Sequence, residues 1–343
     1  GVNAQVLPQW ISATLMGSGK IQEVGQQLTE CEVDIVIVDH HLSGVQQRNL
    51  MQTWGIRIID RNQLILDIFA RRARTYEGKL QVNLAQLLDQ LPRMVGAWLG
   101  SLSRQGGGIG TRGPGETALE MDRRQIQKRV QQIRKKLEDV RQHRAQHRNS
   151  RQRMSIPSFA LVGYTNSGKS TLSKRLTKTE THIENQVFAT LDPTTRKMFL
   201  PRGPEAVLTD TVGFIRNLPP QLIEAFKATL EETSEADILL HVIDLSSPQM
   251  ERQMATVENL MTEFGWDKKP IIHVYNKIDI ASKERKFWVK DKGSRVFISA
   301  ETGEGIDRLK ELMCEKIETL SQPTELYFPH GQEDKIFELN REA

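Results

Sequence analysis

Apolar and polar residues alternate in short blocks from the N-terminus to about residue 80. Glu32–Val38 and Gly55–Ile59 have the continuous apolar character of buried strands, and Ile21–Glu30 and Leu42–Trp54 have apolar residues at helical spacing. Strands that alternate with helices are typical of a parallel sheet. The pattern therefore predicts a small parallel α/β subdomain over residues 1–80.

From about Val82 the apolar residues recur at helical spacing over much longer stretches. The first stretch has a single apolar face, made of Leu84, Leu87, Leu88, Leu91, Met94, Val95, Trp98 and Leu102. The second has a short heptad seam, made of Leu119, Ile126, Val130, Ile133, Leu137 and Val140. Helices joined by a short connector fold back on each other. We therefore expect an antiparallel helical hairpin over residues 81–155, with its apolar faces together and its basic residues outside.

The connector of this hairpin, residues 105–116, has six glycines between Gly106 and Gly115. Such a composition cannot pack a core, and a flexible hinge is one interpretation. A hinge between antiparallel helices needs only a few residues, however. The extra length favours the other interpretation, a functional tip that enters a narrow space.

A polar and basic stretch that ends at Pro157 separates the hairpin from a second α/β region, residues 156–321. Beyond it, Glu325–Phe328 and Ile336–Leu339 alternate as short strands do. Residues 322–343 are therefore expected to begin a small C-terminal domain that is cut short. The predicted fold class is α/β, with the helical hairpin inserted between the two α/β units.

The composition, 38% apolar and 26% charged residues, is that of an ordinary soluble globular protein. No apolar run approaches the ~18–20 residues that span a bilayer, so no membrane span is expected. Cys31 and Cys314 are the two cysteines, which suits a reducing compartment and argues against a disulfide framework and a structural zinc site. We expect a cytoplasmic monomer, with peripheral association with a membrane left open.

Positive charge is concentrated in one segment. Arg123–Arg153 holds twelve basic residues against Glu138 and Asp139, a net charge of +10. Because the whole chain carries +4, the remainder carries −6. A solvated helix face is one interpretation, and a surface for a polyanionic partner is the other.

The segment Gly163–Ser170 fits the pattern G-x-x-x-x-G-K-[ST] and follows the apolar run Phe159–Val162. This is the strand-to-helix context of a phosphate-binding loop, whose backbone N–H groups surround phosphate oxygens. In such a loop, Lys169 reaches the β- and γ-phosphates and the Ser170 hydroxyl binds Mg²⁺. The pattern predicts a nucleoside triphosphate site.

Four further elements follow in order: Phe188–Asp192, Asp210–Gly213, Asn276–Asp279 and Ser299–Glu301. Asp210 and Gly213 follow a predicted strand, where an Asp can hold Mg²⁺ through water and a Gly N–H can sense the γ-phosphate. The Asp279 carboxylate is an acceptor-only group that matches the two N–H donors of guanine. Together the five elements predict a GTPase.

The predicted roles follow from these elements. The GTP-binding residues are Gly163, Tyr164, Thr165, Asn166, Ser167, Gly168, Lys169, Ser170, Phe188, Ala189, Thr190, Leu191, Asp192, Asp210, Thr211, Val212, Gly213, Asn276, Lys277, Ile278, Asp279, Ser299, Ala300 and Glu301. The expected Mg²⁺ ligands are Ser170, Thr190 and, through water, Asp210. Catalysis is assigned to Lys169, Thr190, Gly213 and Asn166, which position and stabilise charge, because no side chain qualifies as a general base.

Phe214 stands where Ras-like proteins carry the glutamine that orients the attacking water. Phe cannot hydrogen-bond to water, so slow intrinsic hydrolysis is expected unless another group or a partner completes the site. Asn166 is the expected compensation, since GTPases that lack the glutamine often use an Asn at this loop position to bind K⁺. K⁺ is therefore an expected activator.

Three weaker patterns are interpreted as structural. Gly17–Lys20 imitates a phosphate loop but has Thr14 in place of the first glycine, and is expected to be a turn into the following helix. Asp39–His41 is expected to be a loop rather than a metal site. His143 and His147 share a helix face among arginines and are expected to be solvated or to face RNA.

Three segments, Ile59–Gln81, Gly107–Thr117 and Phe188–Arg196, make the chain similar to the bacterial HflX family of ribosome-associated GTPases, in the Obg–HflX group. The resemblance implies binding of GTP and GDP, docking on the large ribosomal subunit with the Gly-rich tip reaching toward the peptidyl transferase centre, and GTP-dependent splitting or rescue of stalled or idle ribosomes. The candidate rRNA contacts are Gly107, Gly108, Gly110, Thr111, Arg112, Gly113, Arg123, Arg124, Lys128 and Arg129.

Two other functions stay open at the level of the sequence. One is a GTP-dependent ribosome-assembly or RNA-remodelling factor, which could also use ATP through the N-terminal subdomain, although no second complete phosphate loop supports ATP. The other is a regulatory switch that acts on a protein effector, for which the basic segment would be dispensable.

Overall fold

The computed structural model describes residues 13–102, 114–153, 156–177, 194–201, 205–211, 213–216, 219–225, 230, 233–282, 284–285, 289 and 293–320. Side chains are described in these ranges except for 95–102, 114–119, 143–153, 194 and 220. Most of the Gly-rich connector, the element Phe188–Asp192, Val212 and residues 322–343 lie outside the described residues.

The N-terminal unit is the predicted parallel α/β arrangement. Its elements are α1 (Ser18–Glu30), β1 (Ile35–Val38), α2 (Gly44–Trp54), β2 (Arg57–Asp60) and α3 (Arg61–Arg72). The two strands pair in parallel, with Ile35 opposite Arg57 and Val38 opposite Asp60. Two helices start at capping boxes, in which Ser43 and Asp60 accept hydrogen bonds from backbone N–H groups three residues on.

Two predictions about this unit are wrong in detail. The strand expected to be buried over Glu32–Val38 is shorter, and Ile35 and Ile37 on one of its faces are 45% and 56% exposed. Side chains alternate between the faces of a strand, and the described residues cover one face of this two-stranded sheet. The second helix begins at Gly44 because Ser43 caps it, which leaves Leu42 fully buried ahead of the helix.

The segment Gly17–Lys20, which resembles a phosphate loop in sequence, was expected to be a turn but is mostly helical. Gly17 is the N-cap of α1, and Ser18–Lys20 already form the first helical turn. The Ile21 N–H donates to the Gly17 carbonyl, so this backbone is used within the helix. The helix therefore starts three residues earlier than its apolar periodicity indicated.

Two long helices, α4 (Tyr76–Leu102) and α5 (Pro114–Arg153), form the hairpin. Leu84 and Leu87 of α4 share a hydrophobic cluster with Val130 and Ile133 of α5. These positions lie at similar distances from the connector, as expected for helices that fold back on each other. α4 starts before Val82, since Tyr76–Gln81 continue its helical hydrogen bonding.

The nucleotide-binding unit has a six-stranded sheet with helices on both faces. Its elements are β3 (Ser158–Val162), α6 (Lys169–Thr177), β4 (Thr194–Phe199), β5 (Glu205–Asp210), α7 (Pro220–Ala225), β6 (Ile238–Asp244), α8 (Met250–Glu263), β7 (Ile271–Asn276), β8 (Arg295–Phe297) and α9 (Ile306–Leu320). The strand order is β4-β5-β3-β6-β7-β8, and β4 runs antiparallel to β5 while the others are parallel.

The strand order decides where the motifs meet. β3, β5, β7 and β8 each lead into one of the predicted elements, and the carboxyl ends of parallel strands lie at one edge of a sheet. α6 and α9 cover one face of the sheet, through residues such as Leu172 and Leu309. α8 covers the other face through Val257 and Met261.

α7 joins the two halves of the molecule. Leu222 and Ala225 of α7, with Ile215 before it, lie in the same hydrophobic cluster as Phe69 and Val130 of the N-terminal half. Polar contacts surround this interface: Arg61 donates to the Arg216 carbonyl at 2.6 Å, and Arg134 Nε donates to Glu224 at 3.1 Å. Ile215, Leu222 and Ala225, which follow Gly213 in the chain, are thus part of the core of the hairpin.

Candidate functional site

The loop Gly163–Ser170 turns sharply out of β3, whose last four residues are buried. Gly163 and Gly168 have φ of +154° and +94°, a region that favours glycine. A Cβ on Gly163 would lie 2.3 Å from the Val242 carbonyl oxygen, and a Cβ on Gly168 would lie 2.1 Å from Asn276 Nδ2. The two glycines are therefore required by backbone conformation and by close contacts with β6 and β7.

The Lys169 side chain is buried within the phosphate loop Gly163–Ser170. Its Nζ donates to the carbonyl oxygens of Gly163 at 3.0 Å and Tyr164 at 2.8 Å. Burial lowers the pKa of Lys169 to about 8, and the nearby charge of Asp210 opposes this shift. The ammonium thus has a fixed position and limited solvation, as suits a group that stabilises phosphate charge.

The loop fits a bound phosphate with its magnesium. The Ser167 hydroxyl is buried and has no hydrogen-bond partner among the residues that the structure describes. Ser170 lies in the first turn of α6, and the buried Asp210 carboxylate ends β5 beside the loop. Oxygen donors of this kind are those that Mg²⁺ prefers, so Ser170 and Asp210 would hold the ion.

The segment after Asp210 is fastened to the phosphate loop. The Phe214 N–H donates to the Gly163 carbonyl at 3.0 Å, and the Thr165 N–H donates to the Phe214 carbonyl at 2.8 Å. Between them, a Cβ on Gly213 would lie 3.0 Å from Lys169 Nζ and 2.9 Å from Thr165 Cα. Gly213 therefore lies against the lysine that would contact the γ-phosphate.

The Phe214 side chain is a core residue. It is 3% exposed, and its ring centroid lies 6.2 Å from that of Trp266. Thr211 is also structural, since its hydroxyl donates to the Leu161 carbonyl at 2.5 Å. The position that carries glutamine in Ras-like proteins thus serves packing here, in agreement with the expectation that it does not orient water.

Asn276 connects three of the predicted elements. Its Nδ2 donates to the Ser167 carbonyl at 2.9 Å, and its Oδ1 accepts from the Ala300 N–H at 2.9 Å. Asp279 is exposed at the same edge of the sheet, where its carboxylate is accessible to a base. The buried amide thereby positions the phosphate loop and the two loops assigned to guanine relative to one another.

Two residues of the site were not found by sequence reasoning. Asp244, at the end of β6, accepts from Lys277 Nζ at 2.7 Å and so holds the side chain of the N-K-x-D element. Arg175 of α6 donates to the carbonyls of Ala300 and Glu301, which fixes the turn after β8. Asp244 could have been found from its position at the end of an apolar strand. No sequence pattern indicates the role of Arg175, because its partner lies 125 residues away.

Other predicted residues are placed as follows. Thr190 and its element lie outside the described residues, as do Gly107, Gly108, Gly110, Thr111, Arg112 and Gly113. Asn166 is exposed in the loop with φ of +63°. Arg123, Arg124, Lys128 and Arg129 are exposed on α5. Asp39–His41 is a loop, and the His41 Nδ1 lies 3.2 Å from Asp60 rather than in a metal-ligand group of the described residues.

Each of the three parts of the chain is similar to a described protein family. The chain matches three family descriptions: "GTP-binding GTPase N-terminal" over residues 2–70, "GTP-binding GTPase Middle Region" over 72–151, and "50S ribosome-binding GTPase" over 158–277. The three matches follow the order of the α/β unit, the hairpin and the nucleotide-binding unit.

Individual relatives agree with these matches. The chain is 48% identical over 320 residues to GTPase HflX of Caldanaerobacter subterraneus subsp. tengcongensis, covering 93% of this chain and 73% of that protein. It is 46% identical over 305 residues to GTPase HflX of Escherichia coli K12, covering 88% and 71%. Among solved structures, the complex of SsGBP with GDP matches with a TM-score of 0.51 and 25% identity, covering 90% of this chain and 88% of that one.

Proposed function

The chain belongs to the HflX family of GTPases, and from this membership we propose that it binds the large ribosomal subunit and uses GTP to split or rescue stalled or idle ribosomes. Hydrolysis of GTP is the activity of the family. Docking on the ribosome is supported by the description of the family that matches residues 158–277, a 50S ribosome-binding GTPase. It is supported further by the exposed basic residues of α5.

The observation that carries the proposal is the packing of α7 into the hairpin. Gly213 is next to Lys169, and a few residues later Ile215, Leu222 and Ala225 are buried with Phe69 of the N-terminal half. A switch segment that moves with the γ-phosphate would therefore have to repack the base of the hairpin. This is how the nucleotide state would change the docking of the basic rod, which is the basic segment Arg123–Arg153 of α5.

The chain's own groups position and stabilise charge in the reaction. Mg²⁺, when bound with the nucleotide, neutralises charge on the β- and γ-phosphates. Lys169 would add a second positive charge from a buried position, and the Gly213 N–H, on a residue that lies against Lys169, would donate to the γ-phosphate. Asn276 keeps the guanine loops in register with the phosphate loop. In this proposal, hydrolysis depends on positioning and charge stabilisation rather than on a general base.

We extend the proposal to K⁺ as an activator, bound with the help of Asn166. The exposed Asn166 amide lies on the phosphate loop, and Phe214 is unavailable for water because it is in the core. We expect faster GTP hydrolysis in KCl than in NaCl at equal ionic strength, and loss of that difference in Asn166→Ala. Equal rates of the unaltered protein in the two salts would contradict the proposal.

The ribosomal role is tested by sucrose-gradient profiling of ribosomes mixed with the protein. We expect co-migration with large subunits and a smaller 70S fraction with a non-hydrolysable GTP analogue, and neither effect with GDP. A protein that hydrolyses GTP but neither co-migrates with large subunits nor alters the 70S fraction would refute the proposal.

We also propose that the protein acts in the cytoplasm, where its ribosomal partner is. The described helices include none that is long and apolar enough to cross a bilayer. The basic rod and the Gly-rich tip of the chain would then meet RNA, whose phosphates bind Arg and Lys in a salt-dependent manner.

A further inference from the structure

Two histidines meet under helix α8, at a site that the nucleotide chemistry does not use. His241 of β6 and His273 of β7 are directly paired in the parallel ladder. Paired residues point to the same face of a sheet, and the two rings make an edge contact with centroids 5.5 Å apart. Their neighbours on this face, Leu239 and Ile271, pack with α8. The rings therefore lie in the layer between sheet and helix.

Glu258 completes the group from the helix. It follows Val257, which is fully buried against the sheet, so its carboxylate lies at the rim of the same layer. One ligand atom from each of His241, Glu258 and His273 lies within 4.8 Å of the others. Within the described part of the chain, the group consists of these three residues. Water would take the fourth coordination position of a bound ion.

We propose that His241, Glu258 and His273 form a binding site for a divalent transition-metal ion, with Zn²⁺ as the preferred occupant. Two imidazoles and one carboxylate are a ligand set that zinc uses with a water in the fourth position. The near absence of cysteines excludes a thiolate site but not this one.

The geometry needs a small adjustment to take the ion. Ligand bonds of about 2.0–2.1 Å place neighbouring ligand atoms of a tetrahedral zinc site ~3.3 Å apart. Strand pairing fixes the main chain of both histidines, and His241 is 1% exposed, which restricts its ring. Glu258 is exposed on a helix, so rotation of its side chain can bring the carboxylate inward. The ion would then link β6, β7 and α8.

The position of the site indicates what the ion would do. Each histidine is three residues before the polar residue that ends its strand, Asp244 in β6 and Asn276 in β7. Asp244 holds Lys277, and Asn276 holds the phosphate loop and the turn after β8. Cross-linking these strands would stabilise the base-recognition edge without contacting the nucleotide, so the role of the ion is structural.

The test is equilibrium binding of Zn²⁺ to the full chain loaded with GDP and Mg²⁺. Other weak ligands are removed first in a background variant with Cys31→Ser, His143→Gln and His147→Gln. In this background we expect one bound Zn²⁺ per chain, visible absorption of four-coordinate Co²⁺, and a Tm about 5 °C higher at a Zn²⁺ concentration 100 times Kd.

Substitutions at the site separate it from adventitious binding. Glu258→Gln and His273→Gln, each added to the background, are expected to weaken Zn²⁺ binding by about 100-fold or more while GDP affinity stays unchanged. The matched control is Glu251→Gln, an exposed acid on the first turn of the same helix, which should leave Zn²⁺ binding intact. The proposal is overturned if the background variant binds no stoichiometric Zn²⁺, or if Glu258→Gln and His273→Gln bind it equally well.

Discussion

At the scale of single residues, the proposed base recognition combines one buried and one exposed side chain. Asn276 is 2% exposed and uses both ends of its amide to hold backbone groups, whereas Asp279, the residue proposed to recognise guanine, is exposed. Positioning and recognition are therefore separable, and substitution of Asp279 should alter base preference without disturbing the loops.

Asp279→Asn is expected to weaken GTP binding by about 100-fold or more, because a charge-assisted pair of hydrogen bonds is lost. Xanthosine triphosphate should bind the variant better than GTP, since the Asn amide can donate to the carbonyl that replaces the guanine amino group. Competition binding with the two nucleotides measures the preference. Asp307→Asn, an exposed acid on α9, is the control for loss of charge. An unchanged preference in Asp279→Asn would contradict the assignment.

Lys169 gives the nucleotide-free site a specific response to pH. Burial lowers its pKa to about 8, so above pH 8 the folded protein holds fewer protons at this residue than the unfolded chain, whose Lys ionises near 10.5. Stability of the nucleotide-free protein therefore gains a contribution as pH rises from 8 toward 10.5. Phosphate charge reverses the shift, so nucleotide binding should restore the proton.

We expect GDP binding at pH 8.5 to take up a fraction of a proton, and less uptake at pH 7.5. Calorimetry in buffers of different ionisation enthalpy measures the uptake directly. Lys169→Arg keeps its charge throughout this range and should show no uptake at pH 8.5. Equal uptake in that variant and in the unaltered protein would assign the proton to another group.

At the scale of elements, the short helix α7 connects the nucleotide site to the hairpin. It belongs by sequence to the nucleotide-binding unit, but Leu222 is fully buried in the cluster that contains Phe69 and Val130. The exposed ion pair between Arg134 and Glu224 adds little, because pairs of this kind contribute about 0–1 kcal/mol. Apolar packing is the physical basis of the proposed coupling.

Leu222→Ala should uncouple the hairpin from the nucleotide. The substitution leaves a cavity that lowers the free energy of unfolding by about 2–5 kcal/mol. The cavity lies where α7 packs against the N-terminal half. Amide hydrogen exchange in α4 and α5 should differ between the states with GDP and with a GTP analogue in the unaltered protein, and the difference should shrink in the variant. Leu309→Ala is a matched control, fully buried in a cluster of the nucleotide-binding unit. The same loss of difference in that variant would point to general destabilisation.

At the scale of the whole molecule, the positive charge and the nucleotide site lie on different parts of the fold. The exposed basic residues of α5 lie on the outer side of a helix whose apolar side, at Val130 and Ile133, packs on α4. An arrangement of this kind presents a long positive rod while the nucleotide site stays with the sheet. If the partner is RNA, affinity must depend on salt through this rod.

Replacing Arg123, Arg124, Lys128 and Arg129 with Glu is expected to abolish ribosome binding at physiological salt. Replacing them with Gln should reduce the slope of log K against log salt by about 3. Sedimentation with large subunits across a salt series measures both. The control makes the same Glu or Gln replacements at four basic residues of the nucleotide-binding unit, Arg252, Lys268, Lys310 and Lys316, and so changes the net charge equally away from α5. Unimpaired partner binding after charge reversal would favour the alternative of a switch acting on a protein effector.

Motif chemistry and element order were determined by the sequence, because both depend on spacing along the chain. A loop with Gly163 and Gly168 after an apolar strand, and polar residues at the ends of β5 and β7, allow few other interpretations. Periodicity located the hairpin in the same way. Boundaries were less certain, as Gly44 and Tyr76 show, since a cap or one more helical turn is decided by local hydrogen bonds.

Contacts between distant parts of the chain were decided only by the tertiary structure. Asp244 meets Lys277, Arg175 meets the turn after β8, and Leu222 enters the core of the hairpin. The strand-end position of Asp244 marks it as a candidate but does not name its partner, and no local pattern distinguishes Arg175 or Leu222 from ordinary surface or core positions. The pairing of His241 with His273 depends on the register of β6 and β7. The sequence thus determined which chemistry the chain carries. The packing of strands and helices determined which groups meet, because burial and register are properties of the assembled fold.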